Sequence, residues 1–155
     1  MNCKENTEIV KKYLDDNDWH YNMEDHDCVV VFRGGVNAGK GVFSSFRFTL
    51  AVEDAVVQNF VTLPVSAREK LVEVAEFIAR VNYSLKRGRM DMDFSDGEVR
   101  YHICVPMEAV QANPNGIIED VLCLPGAMLI KYGKGIADIL FNGTDAKTAY
   151  ERCEA

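Results

Sequence analysis

By residue type and spacing, His102 and Cys104 are the pair best suited to covalent chemistry. They stand two apart in a run from Glu98 to Pro106 that alternates like a strand, so they share one face at about 6–7 Å. A histidine within reach of a thiol can take its proton and leave a nucleophilic thiolate. Such a site also needs an orienting carboxylate and oxyanion donors, and the sequence supplies neither in a recognisable context. A second pattern is Gly34-Gly35-Val36-Asn37-Ala38-Gly39-Lys40-Gly41, which matches G-x-x-x-x-G-K after a strand. In a phosphate-binding loop a Ser or Thr follows to hold magnesium, and a helix then points its amino end at the phosphates. Here Gly41 takes the hydroxyl's place and Val42–Leu50 alternates like another strand, so the stretch reads as a hairpin loop. His20, His26, Asp27 and Cys28 are metal-ligand types close in sequence. A transition metal needs three or four of them to converge, and a strand followed by a turn does not guarantee it. Cys28 opens an apolar run and reads as a small buried hydrophobe. Asp91, Asp93, Asp96 and Glu98 resemble a calcium loop in composition. Two of these aspartates alternate with apolar residues, which predicts a solvated strand face and a turn rather than ligands.

The elements that must hold these residues follow from periodicity. Ile9, Val10, Tyr13 and Leu14 predict a helix over about Asn6–Leu14, broken by Asp15-Asp16-Asn17-Asp18. Trp19, Tyr21 and Met23 predict a first strand and Asp25-His26-Asp27 a turn. Cys28–Arg33, Ser45–Leu50 and Ala55–Leu63 predict three more strands with a turn at Glu53-Asp54. Ser66-Ala67-Arg68-Glu69 has capping-box spacing, and Leu71, Val74, Ala75, Ile78, Val81 and Leu85 recur at helical spacing beyond it. Lys86 and Arg87 suit the last turn of that helix, with Gly88 as its left-handed stop. Met90, Met92 and Phe94 alternate with aspartates, Ser95-Asp96-Gly97 turns the chain, and Val99, Tyr101, Ile103 and Val105 form the returning strand up to Pro106. Asn113-Pro114 opens a long apolar helix, Pro125-Gly126 is expected to kink or interrupt it, and Asn142-Gly143 ends it. Thr144-Asp145 caps a last short helix. The plan is α+β, an antiparallel sheet with helices on one face, in the order α-β-β-β-β-α-β-β-α.

The 155-residue chain is predicted to be one domain over residues 1–155, with 48% hydrophobic and 26% charged residues. A net charge of −7 argues against nucleic acid as a partner. The start, MNCKENTEIVKKYL, is not patterned as a signal peptide, and no apolar run reaches a membrane span of roughly 18–20 residues. Five scattered cysteines (Cys3, Cys28, Cys104, Cys123, Cys153) without a CxxC fit reduced thiols in a cytoplasm.

The order helix, Asn82, Gly88, short strand, Asp96-Gly97-Glu98 turn, strand and Pro106 resembles the YbjN family of small bacterial proteins. Tyr132-Gly133 through Gly143-Thr144-Asp145-Ala146 and Ala149 is similar to that family's closing helix and tail. The resemblance implies a fold like the type III secretion chaperones, a loosely regulatory role without an agreed reaction, and relatives that bind partner proteins as dimers. With no catalytic set and no implied cofactor, the reading is a non-enzymatic, cytoplasmic interaction or chaperone-like module with a protein or peptide partner, as a homodimer. The alternative is a small-ligand module or enzyme at His102/Cys104 or Gly34–Lys40. Asn82 is expected to bond backbone groups of the neighbouring hairpin. The last long helix is apolar over much of its circumference, so Leu124, Met128, Leu129, Tyr132 and Ile136 are the candidate partner or dimer surface.

Overall fold

The computed structural model describes residues 2–155; Met1 lies outside it. Helix α1 spans Cys3–Asp16 and starts earlier than its apolar spacing predicts, because Asn2 caps it. Asn2 Oδ1 accepts from Glu5 N–H at 3.1 Å and Glu5 Oε2 accepts from Asn2 N–H at 2.9 Å. Strands β1 (Asn22–His26), β2 (Val29–Asn37), β3 (Ser45–Val52) and β4 (Val56–Ser66) follow as an antiparallel meander. Strand β1 lies later than the alternation predicts: Trp19 and Tyr21 precede it, Met23 is exposed, and Asp25 and His26, expected in the turn, are paired with β2. The turn is Asp27-Cys28, where Asp27 takes the left-handed conformation (φ 57°) that aspartate tolerates. Buried Asn6 of α1 donates to the carbonyls of Glu53 and Asp54 at 3.1 and 3.0 Å, tying the helix to the β3–β4 turn.

Between β4 and the next helix the expected capping box does not form. Ser66 still belongs to β4; its hydroxyl donates across to Asp96 C=O and accepts from Arg68 N–H at 3.2 Å, and the chain passes through a 3₁₀ turn before α2 (Leu71–Ser84). Helix α2 stops at Ser84, which leaves Lys86 and Arg87 in the connection rather than in the last turn. Gly88 carries φ 71°, and a Cβ there would lie 2.5 Å from the Tyr101 ring and 2.8 Å from His102 C=O. Asn82 holds the start of β5 (Arg89–Met92) through both backbone groups of Met90: its Nδ2 donates to Met90 C=O at 2.9 Å and its Oδ1 accepts from Met90 N–H at 2.8 Å. Phe94 falls in the turn beyond β5 and is exposed, against its expected core phase. Asp93 and Asp96 spend their carboxylates on the turn, accepting from Ser95 N–H and Glu98 N–H at 2.8 Å each.

Strand β6 (Glu98–Pro106) leads into α3 (Met107–Ala112), a short helix with too few apolar repeats to announce itself. Helix α4 spans Pro114–Asn142, 29 residues and roughly 44 Å, and runs unbroken through Pro125. Proline has no N–H for the carbonyl four residues back, here that of Val121. The side chain of Asn59, fully buried on β4, donates to that carbonyl at 2.9 Å. Gly143 (φ 66°) ends α4, and Asp145 caps α5 (Ala146–Glu154) by accepting from Thr148 N–H at 2.9 Å.

The six strands lie in the order β1-β2-β3-β4-β6-β5. The helices cover one face, and a single contiguous core fills the layer between, with Phe32, Phe48, Leu50, Val61, Tyr101 and Leu129 at its centre. The α+β plan with an antiparallel sheet and helices on one face is what the alternation predicts. No helix among the described residues is long and apolar enough to cross a membrane.

Candidate functional site on the open face of the sheet

Strand alternation sends every second residue away from the helices. Cross-strand registers align these outward residues in rows: Arg33, Thr49, Phe60 and His102 in one, and Gly35, Arg47, Thr62 and Arg100 in the next. At a strand spacing of about 4.8 Å, Arg47 and Arg100 stand about 10 Å apart at the backbone. Together they line a shallow depression of about 680 Å³, adjoined by a second that shares Arg47, Thr62 and Glu98.

The guanidinium groups here differ in their company. Arg33 is held by Glu24 at 2.9 Å. Arg100 lies 3.6 Å from Asp91 and 4.4 Å above the centre of the Phe60 ring, a cation–π contact. Arg47 has no ion pair among the described residues, although it is exposed. The chain as a whole carries −7, so this arginine-lined patch stands out from the average surface.

His102 stands beside Phe60 in the same outward row. Its ring stacks on Phe60, with centroids 4.3 Å apart and planes 10° from parallel. Nε2 lies 2.9 Å from Gln58 Oε1. That oxygen only accepts, so Nε2 carries the proton. Gln58 in turn donates to Glu53 at 2.8 Å. Nδ1 is buried without a partner among the described residues. Burial, then the positive charge of Arg89, holds the imidazole below its usual range.

The alternative pairing of His102 with Cys104 finds no support in their surroundings. Desolvation and the Glu53 carboxylate push the Cys104 thiol up, while the imidazole is pushed down. Neither shift favours a thiolate beside an imidazolium. No hydrogen bond joins them among the described residues, and the ring proton points to Gln58.

The Gly34–Lys40 stretch also resolves differently from its motif. Gly34 to Asn37 belong to β2, so half of the supposed loop is paired with β3. The connection is Ala38–Ser44, and β3 rather than a helix follows it, so no helix amino end faces the loop as a phosphate site requires. His20 precedes β1, His26 turns to Glu24 at 3.1 Å, and Cys28 sits in the hairpin turn, exposed rather than buried as expected. These ligand types do not converge: no group of three or more His, Cys, Asp or Glu among the described residues is arranged to hold a metal ion.

The candidate partner surface on α4 needs correction. Leu129, Tyr132 and Ile136 are 0, 3 and 0% exposed. They face the chain's own core, because α4 is central and packs on β4 and β6 as well as on the other helices. A helix apolar all round is here buried on more than one side by its own chain. Leu124 and Met128 are half-buried at the mouth of a cleft beside Leu85 and Lys131.

Arg33, Arg47, Phe60 and Arg100 belong to no sequence motif, yet they carry a signal. Each occupies the phase opposite to the core residues of its strand. Collecting that second phase across strands would have found them; strand pairing was the missing information.

Neither the sequence nor the fold matches a family model, a curated protein or a solved structure.

Proposed function

We propose that this chain is a non-enzymatic interaction module that receives a partner protein on the open face of its sheet. One observation carries the reading. All the packed layers lie on one side, and the uncovered side presents arginines and Phe60, on which His102 stacks, beside two adjoining depressions. Arginine and aromatic side chains around a dent are what protein interfaces enrich at their energetic centres. The resemblance to the YbjN family and to secretion chaperones points the same way, toward a regulatory or chaperone-like protein that works as a homodimer in a cytoplasm. The buried core residues of α4 are not part of the surface in this reading.

The test compares the two sides of the molecule. Wild-type protein, two open-face variants (Phe60→Ala and Thr62→Glu) and two helical-layer variants (Val72→Ala and Tyr83→Ala) are immobilised after circular dichroism has shown each to be folded. Val72 and Tyr83 are 75 and 95% exposed on α2. Proteins captured by the wild type are expected to be lost from the open-face variants and kept by the helical-layer pair. The opposite pattern would remove the proposal.

A further inference from the structure

Gly34 and Gly35 lie side by side on β2 and answer to different demands. Gly34 faces the covered side, where an added Cβ would lie 2.5 Å from His20 C=O and 2.6 Å from the Phe48 ring. Packing leaves room for nothing larger there. Gly35 faces outward, opposite Arg47, and an added Cβ would meet only Phe46 C=O at 3.9 Å, ordinary van der Waals contact. Its φ is not positive either. No turn, clash or backbone angle of this chain calls for glycine at position 35. A glycine inside a strand weakens it, and it often marks a place where a ligand or another backbone comes close.

What surrounds Gly35 has a chemical character. Arg33 and Arg47 flank it, and Thr49 and Thr62 supply hydroxyls to the same depression. Glu24 holds Arg33 in place, while Arg47 has no counter-charge among the described residues. Glu98 lines the far rim and repels an anion toward the β2–β3 side, where Gly35 lies. Phe60 is already engaged by both His102 and Arg100, which disfavours stacking of a base on its ring.

Building on the interaction reading above, we infer that Gly35 is a seat for the backbone of an extended partner segment, one of whose anionic groups, a carboxylate or a phosphate, pairs with Arg47. The bare glycine lets the segment approach the sheet. Arg47 supplies a planar fork suited to either anion. Arg33 adds positive field beside it.

The experiment uses two defined probes, a triglutamate peptide and inorganic phosphate, titrated into isotope-labelled full-length protein and followed by amide chemical shifts. Wild type is expected to show saturable shifts at Gly35, Arg47, Thr49 and Thr62, with one or both probes; which probe binds more tightly names the anion. Arg47→Ala is expected to weaken binding by about tenfold or more, as loss of a charge-assisted pair does, and Arg47→Lys to recover only part of it. Gly35→Val is expected to abolish the peptide shifts while its thermal midpoint stays at or above that of the wild type. Gly35→Ala, with a single added methyl, gives a milder form of the same result. Absence of saturable shifts at these amides with both probes would overturn the inference, as would peptide binding undiminished in folded Gly35→Val. If captured partners still depend on Phe60 and Thr62 in that case, the interaction reading stands and only the anionic seat falls. Capture that follows Val72 and Tyr83 instead would overturn both.

Discussion

On the covered face of the sheet, Phe32, Phe48, Leu50, Val61 and Tyr101 are at most 1% exposed. The residues that alternate with them, Arg33, Arg47, Thr49, Phe60, Thr62 and Arg100, are exposed or half-buried on the other side. The two sets come from the same strands. One face meets helices and tolerates no change of volume. The other meets water and accepts change, which leaves its residues free to be chosen for something other than stability.

The most forceful way to test that contrast is to open the covered layer. Leu129→Ala, in the middle of α4, is expected to cost about 2–5 kcal/mol in a denaturant titration, the range for a core leucine that leaves a cavity. A loss near zero would mean that Leu129 faces solvent or a partner after all. Gly34→Ala probes the same layer by overfilling it and is expected to destabilise by about 1–3 kcal/mol, because the nearest obstacle is a backbone carbonyl.

A smaller effect separates the faces through pH. The folded protein keeps His102 neutral, since burial and Arg89 depress its affinity for protons. The unfolded chain takes up that proton as the pH falls through the ordinary histidine value of about 6.5. Below it the unfolded state binds more protons than the native state, so this part of the stability is present above that pH and is lost on acidification. In His102→Gln the midpoint difference between a neutral and a mildly acidic titration is expected to shrink. An unchanged difference would assign the acid sensitivity to other groups. The smallest effect belongs to Gly35→Ala, expected to leave stability unchanged or raised by up to about 1 kcal/mol. Set beside Gly34→Ala, it compares two adjacent glycines whose substitutions should move stability in opposite directions.

How much of this was legible beforehand varies with the range of the interaction concerned. Strands β2 to β4, the β5–β6 hairpin, the Asn113-Pro114 start of α4 and its stop at Gly143 follow from local patterning, and so does the grip of Asn82 on the hairpin. Failures occurred where a distant partner redirected a residue. Ser66 has capping chemistry, but pairing with β6 keeps it in β4, so its oxygen accepts only from Arg68 N–H and caps no helix. Pro125 reads as a kink or an interruption; the helix is not interrupted, and a strand residue far from it in sequence supplies the missing donor. Of the α4 residues proposed for a partner, Leu129, Tyr132 and Ile136 are apolar because their own chain encloses them, while Leu124 and Met128 stay half-buried. The arginine patch requires four strands to be aligned before Arg33, Arg47 and Arg100 become neighbours. Motif spacing along the chain cannot report that.

The Asn59 contact has a consequence for how the molecule assembles. As a free segment, Pro114–Asn142 has a fault between Val121 and Pro125, where the helix lacks one of its own rungs. Strand β4 splices it. A side chain reaching that one carbonyl also sets where along its axis the helix sits: a slide of one turn would present a carbonyl that already has its partner. The longest helix thus takes its alignment from the middle of the sheet, across 62 residues of sequence. Completion of α4, and the placing of α5 beyond it, should await the pairing of β4, a non-local step that tends to slow folding.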